Sequence, residues 1–162
     1  VKLEFVKHSA YRCEVPHSSP SASPTALDVM ATVTEFCRVY QQDFLAAAQG
    51  LGLTYSQAKL LGLLAEPRAM RELAEALSCD ASNITLLIDR LEQRGLVERH
   101  VDQTDRRVKK VVATTEGIAI ARQVREEMHG VRAALDALSP ARRRSLQSIL
   151  GQMQTHMTTR PD

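Results

Sequence analysis

The chain has 162 residues, a formal net charge of +2, 44% hydrophobic and 25% charged residues. That is the composition of one soluble globular domain, at about 100–200 residues per domain, with length enough for a real core. No stretch approaches the roughly 18 apolar residues of a membrane span, and no secretory pattern is visible, so a cytoplasmic protein without membrane contact is expected. Cys13, Cys37 and Cys79 form an odd set with no CxxC pair, which argues against a disulfide framework or zinc ribbon. No Gly-rich phosphate loop, GxSxG elbow, HExxH or paired-carboxylate motif is present, so neither an enzyme nor a resident cofactor or metal is expected.

The charge is unevenly placed. Residues 90–110 hold seven basic residues (Arg90, Arg94, Arg99, Arg106, Arg107, Lys109, Lys110) and four acidic ones, a local +3. The other 14 basic and 15 acidic residues leave −1 for the rest of the chain. Such asymmetry points to a polyanionic partner.

In chain order, residues 1–25 read as a disordered tail, with Pro16, Pro20 and Pro24 among serines. From Ala26, the residues Met30, Val33, Cys37, Tyr40, Phe44, Ala47 and Leu51 continue a seam of alternating four- and three-residue steps. This predicts a long helix that packs on another, ended by Gly50 and Gly52. A short, largely buried helix follows, with Ser56 as its expected cap and Pro67 as its stop. Met70, Leu73, Ala74 and Leu77 predict the next helix. After the break Ser78–Asp80, Ile84, Leu87, Ile88 and Leu91 predict another, with Asp80 as N-cap and Gly95 as stop.

The period then changes to two. Val97, Arg99 and Val101 predict one short strand, and Val108–Ala113 a second, joined by a tight basic loop. Thr114 or Thr115 should cap a long helix whose seam is Ala121, Val124, Met128, Val131, Leu135 and Leu138. Ser139-Pro140 marks the start of the last helix, with Leu146, Ile149, Leu150 and Met153 on its apolar face.

Two short amphipathic helices, a three-residue turn and a ribbon with a basic tip give the order of a winged helix-turn-helix. The free face of the second helix carries Ser82, Asn83, Thr85, Leu86 and Arg90. Asn reads adenine bidentately, and the Thr85 or Leu86 methyls can meet a thymine methyl. Arg106 and Arg107 sit at the ribbon tip, where a slender basic loop suits a narrow minor groove. Lys109 adds a basic group beside them, and Asp105 is the natural partner for a tip arginine. Each feature alone also fits a solvated surface; their order along the chain favours DNA.

Here the resemblance becomes specific. LTYSQAKLLGLL (53–64), MRELAEALSCDASNITLLIDRLEQRGLVERHVD (70–102), the DRR of 105–107 and VVATTEG (111–117) resemble the MarR family of bacterial transcriptional regulators. The likeness covers about 26–157, with 53–114 as the winged helix-turn-helix and 26–52 and 115–157 as dimerisation helices. It implies a mainly α fold with a small β-ribbon and a homodimeric, ligand-responsive repressor of a pseudo-palindromic double-stranded operator. It also implies minor-groove entry by Arg107 and positioning roles for Asp80 and Asp105. Ala113 departs from the family pattern, which has a larger aliphatic there. The wing loop also lacks the common Pro after its first Asp.

The resemblance further implies a small aromatic or phenolic effector, for which Tyr40, Phe44 and Tyr55 are candidate liners; core packing is their simpler role. Some relatives sense peroxide through a cysteine on the first long helix. Cys37 is on that helix but about two turns from the sensing position, and on the packing seam. Zinc would need His129, His100 or Glu127 to converge with partners, and no ligand spacing supports this. Two rival readings stay open: a thiol-based redox regulator of the same fold, and a winged helix that contacts protein without DNA.

Overall fold

The structure is a computed structural model and describes residues 23–101 and 109–158. It divides into two compact units, residues 1–39 and 40–162, with the boundary inside the first helix, α1 (Ala26–Gly50).

In the first unit, Thr25 and Asp28 start α1 by reciprocal bonds. The Thr25 amide donates to Asp28 Oδ2 at 2.9 Å, and the Asp28 amide donates to Thr25 Oγ1 at 3.3 Å. The Thr25 hydroxyl and amide hold the Asp28 carboxyl below its usual pKa. Met30, Val33 and Cys37, the first half of the expected seam, are exposed.

The second unit contains the end of α1, where Ala47 and Ala48 are buried. It continues with α2 (Tyr55–Leu63), β1 (Arg68–Ala69), α3 (Met70–Leu77), α4 (Ala81–Gln93), β2 (Val97–Val101), β3 (Lys109–Ala113), α5 (Thr115–Glu126), α6 (His129–Asp136) and α7 (Pro140–Thr158). The fold is therefore mainly helical with one small sheet, as expected. The sheet has β3 in the middle, antiparallel to both neighbours, in the order β1-β3-β2. Val97 pairs with Ala113 and Val101 with Lys109. The two-residue β1 is too short for an alternating pattern, and the sequence reading missed it. Leu60, Leu61, Leu73, Ile84, Ile88, Leu91, Leu96, Val97, Val111 and Val124 are the largest fully buried side chains.

Thr54, not Ser56, caps α2. Its Oγ1 accepts from the Gln57 amide at 3.3 Å, and Gln57 Oε1 accepts from the Thr54 amide at 2.9 Å. This reciprocal box satisfies two terminal donors at once, which a serine already inside the first turn could not do. At the other end, α2 stops at Leu63, ahead of Pro67. Asp80 does occupy the N-cap of α4 with extended backbone, but its side chain makes no capping hydrogen bond among the described residues. Gly95, at φ +68°, ends α4 as expected, with its amide donating to the Glu92 carbonyl at 2.8 Å.

Thr114 caps α5, accepting from the Gly117 amide at 3.0 Å, and its hydroxyl donates to the Gly95 carbonyl at 2.7 Å. A Cβ at Gly117 would lie 2.0 Å from the Leu96 carbonyl oxygen. The same Cβ would stand 3.5 Å from that of Ala113, which is buried. The small residue at 113 therefore belongs to a close approach between α5 and the sheet.

The single long helix expected from residue 115 onward is broken. It stops at Glu126 and resumes at His129. The seam it carries is not left for a partner. Ala121, Val124, Met128 and Val131 are buried within the unit, and Leu135 is partly buried against the same core. By contrast no residue of α7 is buried, and Leu146, Ile149, Leu150, Met153 and Met157 are exposed. Among the described residues, no helix is long and apolar enough to cross a membrane.

Candidate nucleic-acid interface

The helices α3 and α4 are joined by a turn in which Ser78 takes φ +50° and the Cys79 amide donates to the Ala74 carbonyl at 3.0 Å. On α4 one face supplies Ile84, Ile88 and Leu91 to the core. Ser82, Asn83, Thr85, Leu86 and Arg90 are all exposed, so the side chains predicted to contact DNA share the outer part of one helix. The Thr85 hydroxyl donates to the Ala81 carbonyl at 2.8 Å, so it is already engaged on its own helix. Leu86 is 47% exposed, an unusual position for a leucine in a helix with a well-filled buried face.

The wing begins where α4 ends. Arg99 on β2 turns toward α4, bonding the carboxylates of Asp89 and Glu92, with Nη2 also 3.4 Å from the Thr85 carbonyl. Its side chain is only 23% exposed. Arg94 donates from Nη1 to the Gly52 carbonyl at 2.7 Å, fixing the end of α4 to the turn before α2. Both arginines therefore tie parts of the scaffold together, and Arg99 is also offset by two carboxylates. The exposed cations described in this segment are Arg90, Arg94 and Lys109, the last at the start of β3. Asp105, Arg106 and Arg107 lie outside the described residues.

The role of Arg99 was missed because a basic residue on a short strand reads as solvent-facing. The available signal was the pair Asp89 and Glu92, three residues apart and therefore on one face of α4.

Tyr40, Phe44 and Tyr55 do come together. The Tyr40 and Phe44 rings are nearly parallel with centroids 6.5 Å apart, and Phe44 meets Tyr55 edge-on at 5.3 Å. Lys59 Nζ stands 5.9 Å above the Tyr55 ring. Cys37 is exposed and Cys79 half-buried. His100 pairs with Glu98 and His129 with Glu127, each at 3.0 Å. Among the described residues no group of three or more His, Cys, Asp or Glu could hold a metal ion.

Comparison with known proteins bears on the same region. The sequence profile of the MarR family matches residues 53–109, which run from the start of α2 to the first residue of β3. The AbsC protein of Streptomyces coelicolor, a MarR family transcriptional regulator, superposes with a TM-score of 0.63 at 26% identity, covering 86% of this chain and 100% of that one. Residues 53–109 therefore carry the sequence pattern of the MarR family.

Among curated relatives, the HTH-type transcriptional regulator PecS of Dickeya dadantii is 33% identical over 87 residues, 53% of this chain and 52% of that protein. The HTH-type transcriptional repressor MdtR of Bacillus subtilis is 30% identical over 99 residues, 60% of this chain and 64% of that protein. The matched stretches thus span less than two thirds of these relatives. The Staphylococcus aureus MepR F27L mutant bound to an oligodeoxyribonucleotide shares the fold, with a TM-score of 0.54 at 21% identity, covering 83% of this chain and 99% of that one.

Proposed function

We propose that this chain is a sequence-specific double-stranded DNA-binding transcriptional regulator, acting as a homodimeric repressor that a small ligand releases from a pseudo-palindromic operator. The observation that carries this reading is the division of α4. Its inner face is locked into the core by Ile84, Ile88 and Leu91. Its outer face presents an amide, a hydroxyl, methyl groups and a guanidinium. Those are the groups that read base edges and phosphates in a major groove. The wing is held to the same helix by Arg99, so helix and ribbon meet DNA as one body. A protein of the same fold, the MepR F27L mutant, is seen with an oligodeoxyribonucleotide, which supports the reading.

In this proposal Asn83 reads adenine, Thr85 and Leu86 meet thymine methyls, and Arg90 and Lys109 meet phosphate. Arg107, with Arg106 and Asp105 beside it, enters the minor groove. The exposed apolar residues of α7 and of the first half of α1 are covered by a second copy. The Tyr40–Phe44–Tyr55 cluster forms one aromatic wall for a phenolic effector. Titration of a labelled duplex at several salt concentrations tests the reading. Affinity that falls steeply with salt, on one duplex much more than on scrambled ones, is the expected result. Equal affinity for all duplexes, or none, would favour the protein-contact reading.

A further inference from the structure

The break between α5 and α6 is made by very few atoms. Glu127 keeps helical backbone angles, and Met128 departs chiefly in ψ, at 70°. In an uninterrupted helix the Val131 amide would donate to the Glu127 carbonyl, four residues back. Here it donates to the Asp43 carboxylate of α1 at 2.8 Å, and the Glu127 carbonyl accepts from the His129 amide at 2.8 Å. One N–H therefore has two alternative acceptors, a side chain 88 residues away or the local backbone.

The surroundings favour a two-state junction. α5 is fastened at its start by Thr114 and by the close approach of Gly117 to Leu96, so it cannot adjust there. Beside the break lies a cleft of about 450 Å³, walled on the α1 side by Ala46, Ala47 and Gly50 and on the other by Gln123, Glu127 and His129. Those small residues leave room for Glu127 and His129 to move. Gly130 sits in the first turn of α6, and a Cβ there would touch the Asp43 carboxylate at 3.4 Å.

We propose that Asp43 is a latch. With its carboxylate on the Val131 amide the junction is bent; when that bond is released the amide transfers to the Glu127 carbonyl, and α5 and α6 become one helix. Rotation about Met128 ψ then redirects α6 while α5 stays fixed on the sheet. Straightening replaces the Val131–Asp43 and His129–Glu127 bonds by helical ones, so backbone bonding favours the straight form while burial of Met128 and Val131 in the core holds the bent one. This inference concerns the helix junction alone and stands or falls independently of DNA binding.

The test is NMR on the full chain, reading the Cα shifts of Glu127 and Met128 and the exchange of the Val131 amide. In Asp43→Ala, Met128 should move to a helical shift while the Val131 amide stays protected, within roughly tenfold of the wild-type exchange rate. Asp43→Asn keeps an acceptor oxygen and should retain the bent junction. Asp43→Ser is too short to reach the amide and should shift Met128 the same way as Asp43→Ala, even if the latter folds poorly. If Val131 loses protection in Asp43→Ala and Met128 stays non-helical, Asp43 is an ordinary cap and the latch is refuted. Unchanged shifts in both Asp43→Ala and Asp43→Ser refute it equally.

Discussion

Arg99 and Asp89 join β2 to α4 across the base of the wing, and the same guanidinium takes in Glu92 and approaches the Thr85 carbonyl. The consequence is mechanical. The residues proposed to read bases are on α4, and one half-buried fork holds β2 to that helix. Arg99→Ala should therefore cost about 1–2 kcal/mol, since it leaves two carboxylates without their shared cation. Urea unfolding of the full chain measures this. Arg99→Lys keeps the charge but not the fork, and should recover less than half of the loss. A neutral Arg99→Ala would mean the wing is held by the sheet alone.

Gly117 is the tightest point between α5 and the sheet. Gly117→Ala places a methyl against the Leu96 carbonyl, at a distance neither backbone can tolerate. The expected cost is about 3 kcal/mol or a chain that does not fold, read from its melting temperature. A melting point equal to wild type would show that the approach of α5 to Leu96 is wrong.

Thr54→Ala removes the hydroxyl that the Gln57 amide needs. A loss of about 1 kcal/mol is expected, while Ser56→Ala should change stability by less than about half of that. The reverse order would restore Ser56 as the cap.

Asn83→Ala and Lys109→Gln should separate base reading from charge. Asn83→Ala should relax preference at one position of each half-site and leave the salt slope alone. Lys109→Gln should reduce that slope by about 1 and leave preference alone. Selection from a site library, repeated at two salt concentrations, distinguishes them. If the two variants behave alike, Asn83 does not read a base directly.

Much of this was legible in the sequence because it is periodic. The apolar steps on α3 and α4, the change to period two at Val97 and the Ser139-Pro140 start each follow from local rules, and each element lies where those rules put it. The failures have two causes. Thr54 over Ser56 was legible as the local T-x-x-Q box of Thr54 and Gln57, whereas the fork of Arg99 and the break at Met128 depend on partners in other elements that periodicity does not name. Asp43 is 88 residues from the amide it holds, and an unbroken seam through 121–138 gives no sign of that interruption. The aromatic cluster shows the other limit. Tyr40 and Phe44 are a turn apart, but the arrival of Tyr55 at their edge is a tertiary event.

The central claim is that α4 and the wing together read a duplex with two-fold symmetry. Selection of bound duplexes from a random library by the full chain tests it most directly, with Arg107→Ala run in parallel. Enrichment of an inverted repeat whose half-sites are about one helical turn, roughly 34 Å, apart is expected. Weaker capture by Arg107→Ala, most severe on sites with a narrow A/T-rich minor groove, is expected as well. Recovery of no motif by the wild-type chain, or of the same sites with the same affinity by Arg107→Ala, would contradict that claim.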